Sequence, residues 1–210
     1  MLVIHNLNKT IKNQHILKNI CMETEEGKIC GIVGNNGSGK TVLFKCILGF
    51  YFPDSGEIWL NDKQRTKKDG ILNQAAAIIE HPAFLQDYTG LQNLRYLYEL
   101  NHCKDISYLK EIMKKVSLDP EIRKKVKNYS LGMRQRLAIA QVLMENKNIL
   151  ILDEPMNGLD KHGVAEIRNL LLQLKEQGKM ILLASHNKED INILCDKVYE
   201  MDNGIIQELI

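Results

Sequence analysis

Long hydrophobic runs are missing from this sequence. The longest apolar stretches, such as residues 180–184, are about five residues, against the ~18 that a membrane span requires. The first ten residues, MLVIHNLNKT, hold no basic region followed by a long apolar stretch, so no signal peptide is expected. Proline occurs four times, and no Pro-rich linker, low-complexity tract or internal repeat divides the chain, which excludes tethered modules and repeat arrays. An excess of one charge is also lacking. Twenty-eight basic and 26 acidic residues leave a net charge of +2, too little for an electrostatic claim on nucleic acid or on an anionic membrane. The five cysteines, Cys21, Cys30, Cys46, Cys103 and Cys195, are odd in number and never two residues apart. They read as reduced cytosolic thiols, neither a disulfide frame nor a zinc site.

What is present is enough for a core. A chain of 210 residues, 44% hydrophobic, makes one large domain or two small lobes and folds without staples. Strand patterns are expected over residues 2–7, 16–22, 28–33, 57–60, 75–79, 148–152 and 180–184. Helices are expected over residues 40–48, 160–177 and 188–195. The middle is helical too. Thr89 and Gln92 have the form of a capping box ahead of Leu91, Leu94 and Tyr98. Asp105 precedes Leu109, Ile112, Met113 and Val116 at spacings of three and four. Gly178 is a helix stop, and Asn203-Gly204 joins two strand-like runs as a hairpin. Strands alternating with helices imply an α/β fold whose parallel sheet is covered on both faces. Ligands of such folds bind beyond the C-terminal strand ends.

Residues 34–41, Gly34-Asn35-Asn36-Gly37-Ser38-Gly39-Lys40-Thr41, fit the spacing of a phosphate-binding loop between a strand and a helix. The glycines let the backbone turn tightly, so that several N–H groups point at a polyphosphate. The helix N-terminus adds partial positive charge. Lys40 is placed to bridge β- and γ-phosphates and Thr41 to ligate Mg²⁺. A second signal is the apolar run 149–152 ending in Asp153 and Glu154. Two carboxylates at the end of a buried strand are costly without partners or work. Asp153 falls near Thr41 in a phosphate-loop fold and suits the Mg²⁺ shell. Glu154, one residue on, suits a general base for the water attacking the γ-phosphate.

With those two motifs fixed, Tyr129-Ser130-Leu131-Gly132-Met133-Arg134-Gln135-Arg136-Leu137 resembles the signature motif of ABC-type ATPases, as a variant of Leu-Ser-Gly-Gly-Gln. The other elements follow in family order. Gly34 to Thr41 resembles Walker A, and residues 149–153 with Glu154 resemble Walker B. Asn157-Gly158-Leu159-Asp160 resembles the D-loop, and His186 after a strand resembles the switch histidine. The resemblance covers nearly the whole chain. It implies a phosphate-loop NTPase core with a mostly parallel sheet, an N-terminal antiparallel β subdomain and an inserted α-helical subdomain. Residues 1–86 and 146–210 would form the core with its β subdomain, and residues 87–145 the helical part, all within a single ATP-binding domain over residues 1–210.

The implied substrate is ATP with Mg²⁺, and the implied activity is hydrolysis coupled to transport. Ser130 and Gly132, at the start of a helix, also form an anion site in their own right. Two copies meeting head to tail would each complete the other's pocket, with Asp160 both capping its helix and facing the partner chain. His186 would hydrogen-bond the γ-phosphate and the attacking water. The implied partners are a second ATPase subunit, most simply a second copy, and separate transmembrane permease subunits. The implied location is cytoplasmic, peripheral at the inner membrane face through the permease. The basic cluster Arg123, Lys124, Lys125 and Lys127 has no interleaved aromatic residues for base stacking, so no nucleic acid is expected. It reads as a solvated helical face. The run Phe50-Tyr51-Phe52 reads either as core or as a surface for a partner helix.

Two positions depart from the family pattern. Ile11, with His15 as a substitute, stands where an aromatic residue usually stacks on adenine. Base preference is weaker for an aliphatic contact. Glu80, followed by His81-Pro82, stands where the Q-loop usually has glutamine. A carboxylate is a hard oxygen ligand able to hold Mg²⁺, and it adds negative charge near the γ-phosphate. Glu80 with Ser130-Leu131-Gly132-Met133 resembles exporters of antimicrobial peptides, of the bacitracin-resistance and lantibiotic-immunity type. The competing readings are a soluble non-transport ABC ATPase, such as one serving iron–sulfur cluster assembly, and a module that uses ATP only as a switch. Glu154 argues against the second.

Overall fold

The structure is a computed structural model that describes residues 1–80 and 83–209. The expected Q-loop extension His81-Pro82 lies outside the described residues. The chain begins with a long hairpin, β1 (Leu2–Ile11) and β2 (Gln14–Thr24). Both strands are longer than their apolar runs, because Asn6 (φ 48°) and Asn19 (φ 53°) sit where the ladder slips register. Such bulges keep the alternating face inward through polar stretches that have low strand propensity. β4 (Ser55–Leu60) pairs with β1, and β5 (Lys63–Gln64) pairs with β4 across Asn61-Asp62, both at positive φ. The short β5 carries no apolar pattern and was not legible in the sequence. These strands form an antiparallel sheet in the order β2-β1-β4-β5.

The second sheet contains β3 (Ile29–Val33), β6 (Ala75–Ile78), β7 (Ile149–Asp153), β8 (Met180–Ala184), β9 (Lys197–Asp202) and β10 (Ile205–Glu208). Its order is β10-β9-β3-β8-β7-β6, parallel except for the edge strand β10. The hairpin at Asn203-Gly204 (φ 47° and 79°) makes that exception. Alternate residues of β7 face different cores. Ile149 and Ile151 pack with β1, β2 and helix α1 (Lys40–Leu48), while Leu150 and Leu152 pack under the remaining helices. Burial on both faces explains why β7 and β8 are continuously apolar.

The middle of the chain forms α2 (Gly90–Tyr98), α3 (Ile106–Lys115) and α4 (Leu131–Met144). The capping box forms as expected, with Gln92 N donating to Thr89 Oγ1 at 3.2 Å and Thr89 N to Gln92 Oε1 at 2.9 Å. Asp105 accepts from Tyr108 N at 2.9 Å. After β7 come α5 (Lys161–Glu176), with Ile167 and Leu171 fully inward, and α6 (Lys188–Leu194). No described helix is long and apolar enough to cross a membrane. The five cysteines are free thiols, and burial pushes Cys30, Cys46 and Cys195 up to about 12, which keeps them protonated and inert. Phe50 and Tyr51 lie on the surface rather than in the core.

Candidate functional site

The parallel register brings four strand ends to one edge. Ile32 pairs with Ala184, Ala184 with Asp153, and Leu152 with Ile78. The chain leaving each strand therefore turns over the same spot. After β3 it runs through Gly34 (φ 146°), where an added Cβ would lie 2.1 Å from the Met201 carbonyl oxygen. Only glycine fits there, because the loop passes directly over β9. Lys40 is buried, and its ammonium donates to the carbonyls of Gly34 at 2.7 Å and Asn35 at 3.0 Å. Ser38 Oγ is buried without a protein partner. A cleft of about 390 Å³ opens in front of the loop, bordered by Asn36, Gly37, Lys40, Thr41, Asp153 and Glu154.

Thr41 Oγ1 donates to Asp153 Oδ2 at 2.9 Å across 112 residues of sequence. The two hard oxygens are thus adjacent, a donor set that suits Mg²⁺ completed by phosphate oxygens. The Ser38 hydroxyl, unpartnered among the described residues, and a glycine-rich turn at a helix start suit a polyphosphate. Glu154 turns the chain out of β7 at φ 52°, a costly conformation for glutamate. It is pinned there by its N–H to the Ala184 carbonyl at 3.0 Å. Its carboxylate meets His186 Nδ1 at 2.8 Å, and its carbonyl accepts from Gln135 Nε2 at 3.4 Å. Glu80 is a second carboxylate at the cleft with positive φ, 61°. Its Oε1 lies 2.6 Å from Lys45 Nζ. That bond, against the cost of partial burial, holds the lysine's pKa above its ordinary value.

Ser130, Gly132 and Asp160 do not border this cleft. Ser130 caps α4, accepting from Met133 N at 3.2 Å, and Asp160 caps α5, accepting from Gly163 N at 2.8 Å. A Cβ on Gly132 would stand 3.0 Å from the Gly158 carbonyl, and one on Gly158 would meet Leu131 at 2.4 Å. The start of α4 and the Asn157–Asp160 segment are therefore pressed together, with Ser130, Gly132 and Asp160 off the cleft. Ile11 also lies outside the cleft. The strand turns at Lys12-Asn13, so Ile11 pairs with Gln14 at the hairpin end, and the residue bordering the cleft is Ile16 on the returning strand. His15 is engaged by Asn8 at 3.2 Å. The cleft is also bordered by Ile16, Gln135 and Asn157, and Lys45 reaches its Glu80, none of which the sequence patterns assign to it. Gln135 lies inside the signature string and was within reach, but Lys45 has no signal apart from the fold.

Residues 17–157 match the ABC transporter family. The chain belongs to that family. As one of its members it is an ATP-binding subunit and an ATPase. It is 38% identical to the ABC transporter ATP-binding protein YybJ of Bacillus subtilis, over 99% of this chain and 95% of the relative. It is 36% identical to the bacitracin transport ATP-binding protein BcrA of Enterococcus faecalis, over 97% of this chain and 67% of the relative. It is 33% identical to the lantibiotic transport ATP-binding protein SrtF of Streptococcus pyogenes, over 93% and 84%. Among solved structures, cbiO1 of Clostridium perfringens superposes with a TM-score of 0.84 at 29% identity, covering 98% of this chain and 86% of that one. A dimeric ATP-binding cassette bound to ADP and phosphate superposes with a TM-score of 0.89 over 100% and 98%. At 23% identity it speaks to the fold alone.

Proposed function

We propose that this ABC ATPase drives export of antimicrobial peptides through a separate membrane permease, as one half of a dimer that closes around ATP. The observation that carries the ATPase chemistry is the meeting of Lys40, Thr41, Asp153, Glu154 and His186 at one edge of the sheet. Lys40, whose ammonium satisfies the loop's own carbonyls in the free chain, is the cation that meets the β- and γ-phosphates. Thr41 and Asp153 would hold Mg²⁺, which supplies charge neutralisation on the phosphates. Glu154 takes the proton of the attacking water as its oxygen bonds the γ-phosphorus and the bond to the leaving ADP oxygen breaks. His186, bonded to Glu154, orients that carboxylate.

The absence of Ser130 and Gly132 from the border of their own cleft supports the dimer. A second copy, turned head to tail, offers these groups to the first copy's nucleotide. The names of BcrA and SrtF support peptide export. An apolar groove beside Glu80, bordered by Phe50, Ile71, Ala77, Ile79 and Ala83, supports docking of a permease segment over a soluble cluster-assembly role. Such a permease places the subunit at the inner face of a cell membrane.

The test is twofold. Loss of the gene is expected to raise sensitivity to bacitracin-like or lantibiotic peptides, and purification in detergent is expected to bring a multispanning protein with it. A pure soluble complex, with unchanged peptide sensitivity, would favour the cluster-assembly reading.

A further inference from the structure

His186 is the least supported side chain of the site. It is 69% exposed, and its one hydrogen bond among the described residues goes to Glu154. Its position is therefore set by the backbone that carries it, and that backbone is clamped on both sides. Before it, Ala184 ends β8 and accepts from Glu154 N at 3.0 Å. Ser185, 3% exposed, uses its hydroxyl twice, accepting from Asn187 N at 3.1 Å and donating to Asp190 Oδ2 at 3.1 Å. Residues 185 and 187 are thus joined around His186 through one oxygen.

Asp190 anchors that oxygen. It is 2% exposed, in the first turn of α6, and its Oδ1 accepts from Arg168 Nε of α5 at 2.8 Å and from Arg168 Nη2. Arg168 is held further by Glu189 at 3.0 Å, and its guanidinium is more firmly protonated as a result of the Glu189 and Asp190 bonds. The capping bond itself is made by Asn187, which accepts from Glu189 N at 2.9 Å, and a first-turn carboxylate gains from the helix N-terminus without needing either of the specific partners Asp190 has. Stability does not require it either, since a buried ion pair is often no better than well-packed apolar side chains. Its distinctive contribution is direction: both carboxylate oxygens are spoken for, one by α5 and one by the residue before His186.

We propose that Asp190 is a positioning residue for ATP hydrolysis: locked by Arg168, it holds the Ser185 hydroxyl and so sets His186 against Glu154. This rests on the role given above to His186. Asp190→Asn keeps the shape but leaves the Arg168 charge unpaired, and it is expected to cost folding stability as well as rate. Ser185→Ala is the cleaner probe, since it removes both bonds of the link while leaving the Arg168–Asp190 ion pair in place. Its kcat is expected to fall about tenfold, with KM and the affinity for a fluorescent ATP analogue unchanged. Ser185→Thr keeps the hydroxyl and is expected to keep the rate. In nucleotide-free protein labelled with ¹⁵N-histidine, the His186 ring signals, assigned by their loss in His186→Ala, should shift in Ser185→Ala. In a His186→Ala background, Ser185→Ala should cost nothing further. Wild-type kcat in Ser185→Ala, unmoved His186 signals, a loss that reappears in full in the His186→Ala background, or a weakened ATP affinity would each overturn the proposal. Wild-type hydrolysis by His186→Ala would instead overturn the role of His186 itself, and the positioning role with it.

Discussion

The phosphate loop and Ser130 each lead into a helix start, where backbone N–H groups lack intrahelical partners, yet the two are held in different ways. The loop grows from β3 in the middle of a parallel sheet, closes over β9, and leads into α1, whose Leu43, Phe44 and Ile47 are fully buried. Its place follows from ladders and core packing. The start of α4 is fixed largely by side chains. Arg136 donates to the Val116 carbonyl at 2.6 Å and to Glu166 Oε2 of α5 at 2.7 Å, and Ser117 Oγ donates to Glu166 Oε1 at 2.6 Å. Gly163 leaves room for this, since a Cβ there would meet the Arg136 guanidinium at 2.7 Å. The difference teaches which half of the site is scaffold and which is adjustable. A few side-chain bonds can rearrange at small cost, whereas a sheet-borne loop cannot.

The largest effect is expected at Lys40. Lys40→Ala removes the loop's one side-chain cation, and no binding of labelled ATP should be detected. Near-normal binding would show that the loop's amides suffice alone. Glu154→Gln should separate the two functions of the sheet edge. Hydrolysis should fall by about 10² or more, while ATP affinity stays and Mg-ATP drives two chains together in size-exclusion runs. Turnover at the wild-type rate would exclude Glu154 as the base.

Arg136→Ala sharpens the contrast from the other side. It leaves the Val116 carbonyl without its side-chain donor and Glu166 with Ser117 but no arginine, at a cost of about 2 kcal/mol in denaturant unfolding. ATP binding at the phosphate loop should persist while hydrolysis drops. A parallel loss of ATP affinity would mean the two regions are not independent. Glu80→Gln weakens the ion pair with Lys45 and restores the usual family residue. Hydrolysis should change by up to about tenfold, or ~1.4 kcal/mol, with a shift in Mg²⁺ dependence that Glu80→Ala exaggerates if ligation matters. Rates and Mg²⁺ titrations that match wild type in both variants would place Glu80 outside the chemistry.

The smallest effect concerns acid. Bonds from Ser117 and then Arg136 hold the Glu166 carboxyl below its ordinary value of 4.5. The unfolded chain therefore binds more protons in that range, so this contribution to stability is present above about pH 4.5 and lost as pH falls through the folded value. Glu166 is 30% exposed, so the contribution is modest. Arg136→Ala should flatten the acid limb of stability against pH. An unchanged limb would assign acid sensitivity to other carboxylates.

Much of this site is legible before folding because its parts are short strings with local physics. A glycine-rich run between a strand and a helix, or an apolar run ending in two acids, carries its own context. The caps at Thr89, Asp105 and Asp160 are equally local, because a side chain reaches only three residues along a helix start. The asparagine bulges in β1 and β2, and the two-residue β5, escape such reading, since their pairing is decided by a neighbouring strand. Ile11 illustrates the limit. Counting back from the phosphate loop places it at the base-binding position, but the turn at Lys12-Asn13 sets which residue of the hairpin borders the cleft.

The sequence by itself determined the alternation of strands and helices, the phosphate loop, the acidic strand end and the family. Each depends on spacing within a few residues. It took the folded chain to bring Lys45 to Glu80, to join α4 to α5 through Arg136, and to lead Asp190 back to Ser185, next to His186. Those partners lie 35, 30 and 5 residues apart along the chain. The first two are charges on different elements, which meet only after the sheet register has set where each strand ends, and the third depends on how the chain turns from β8 into α6.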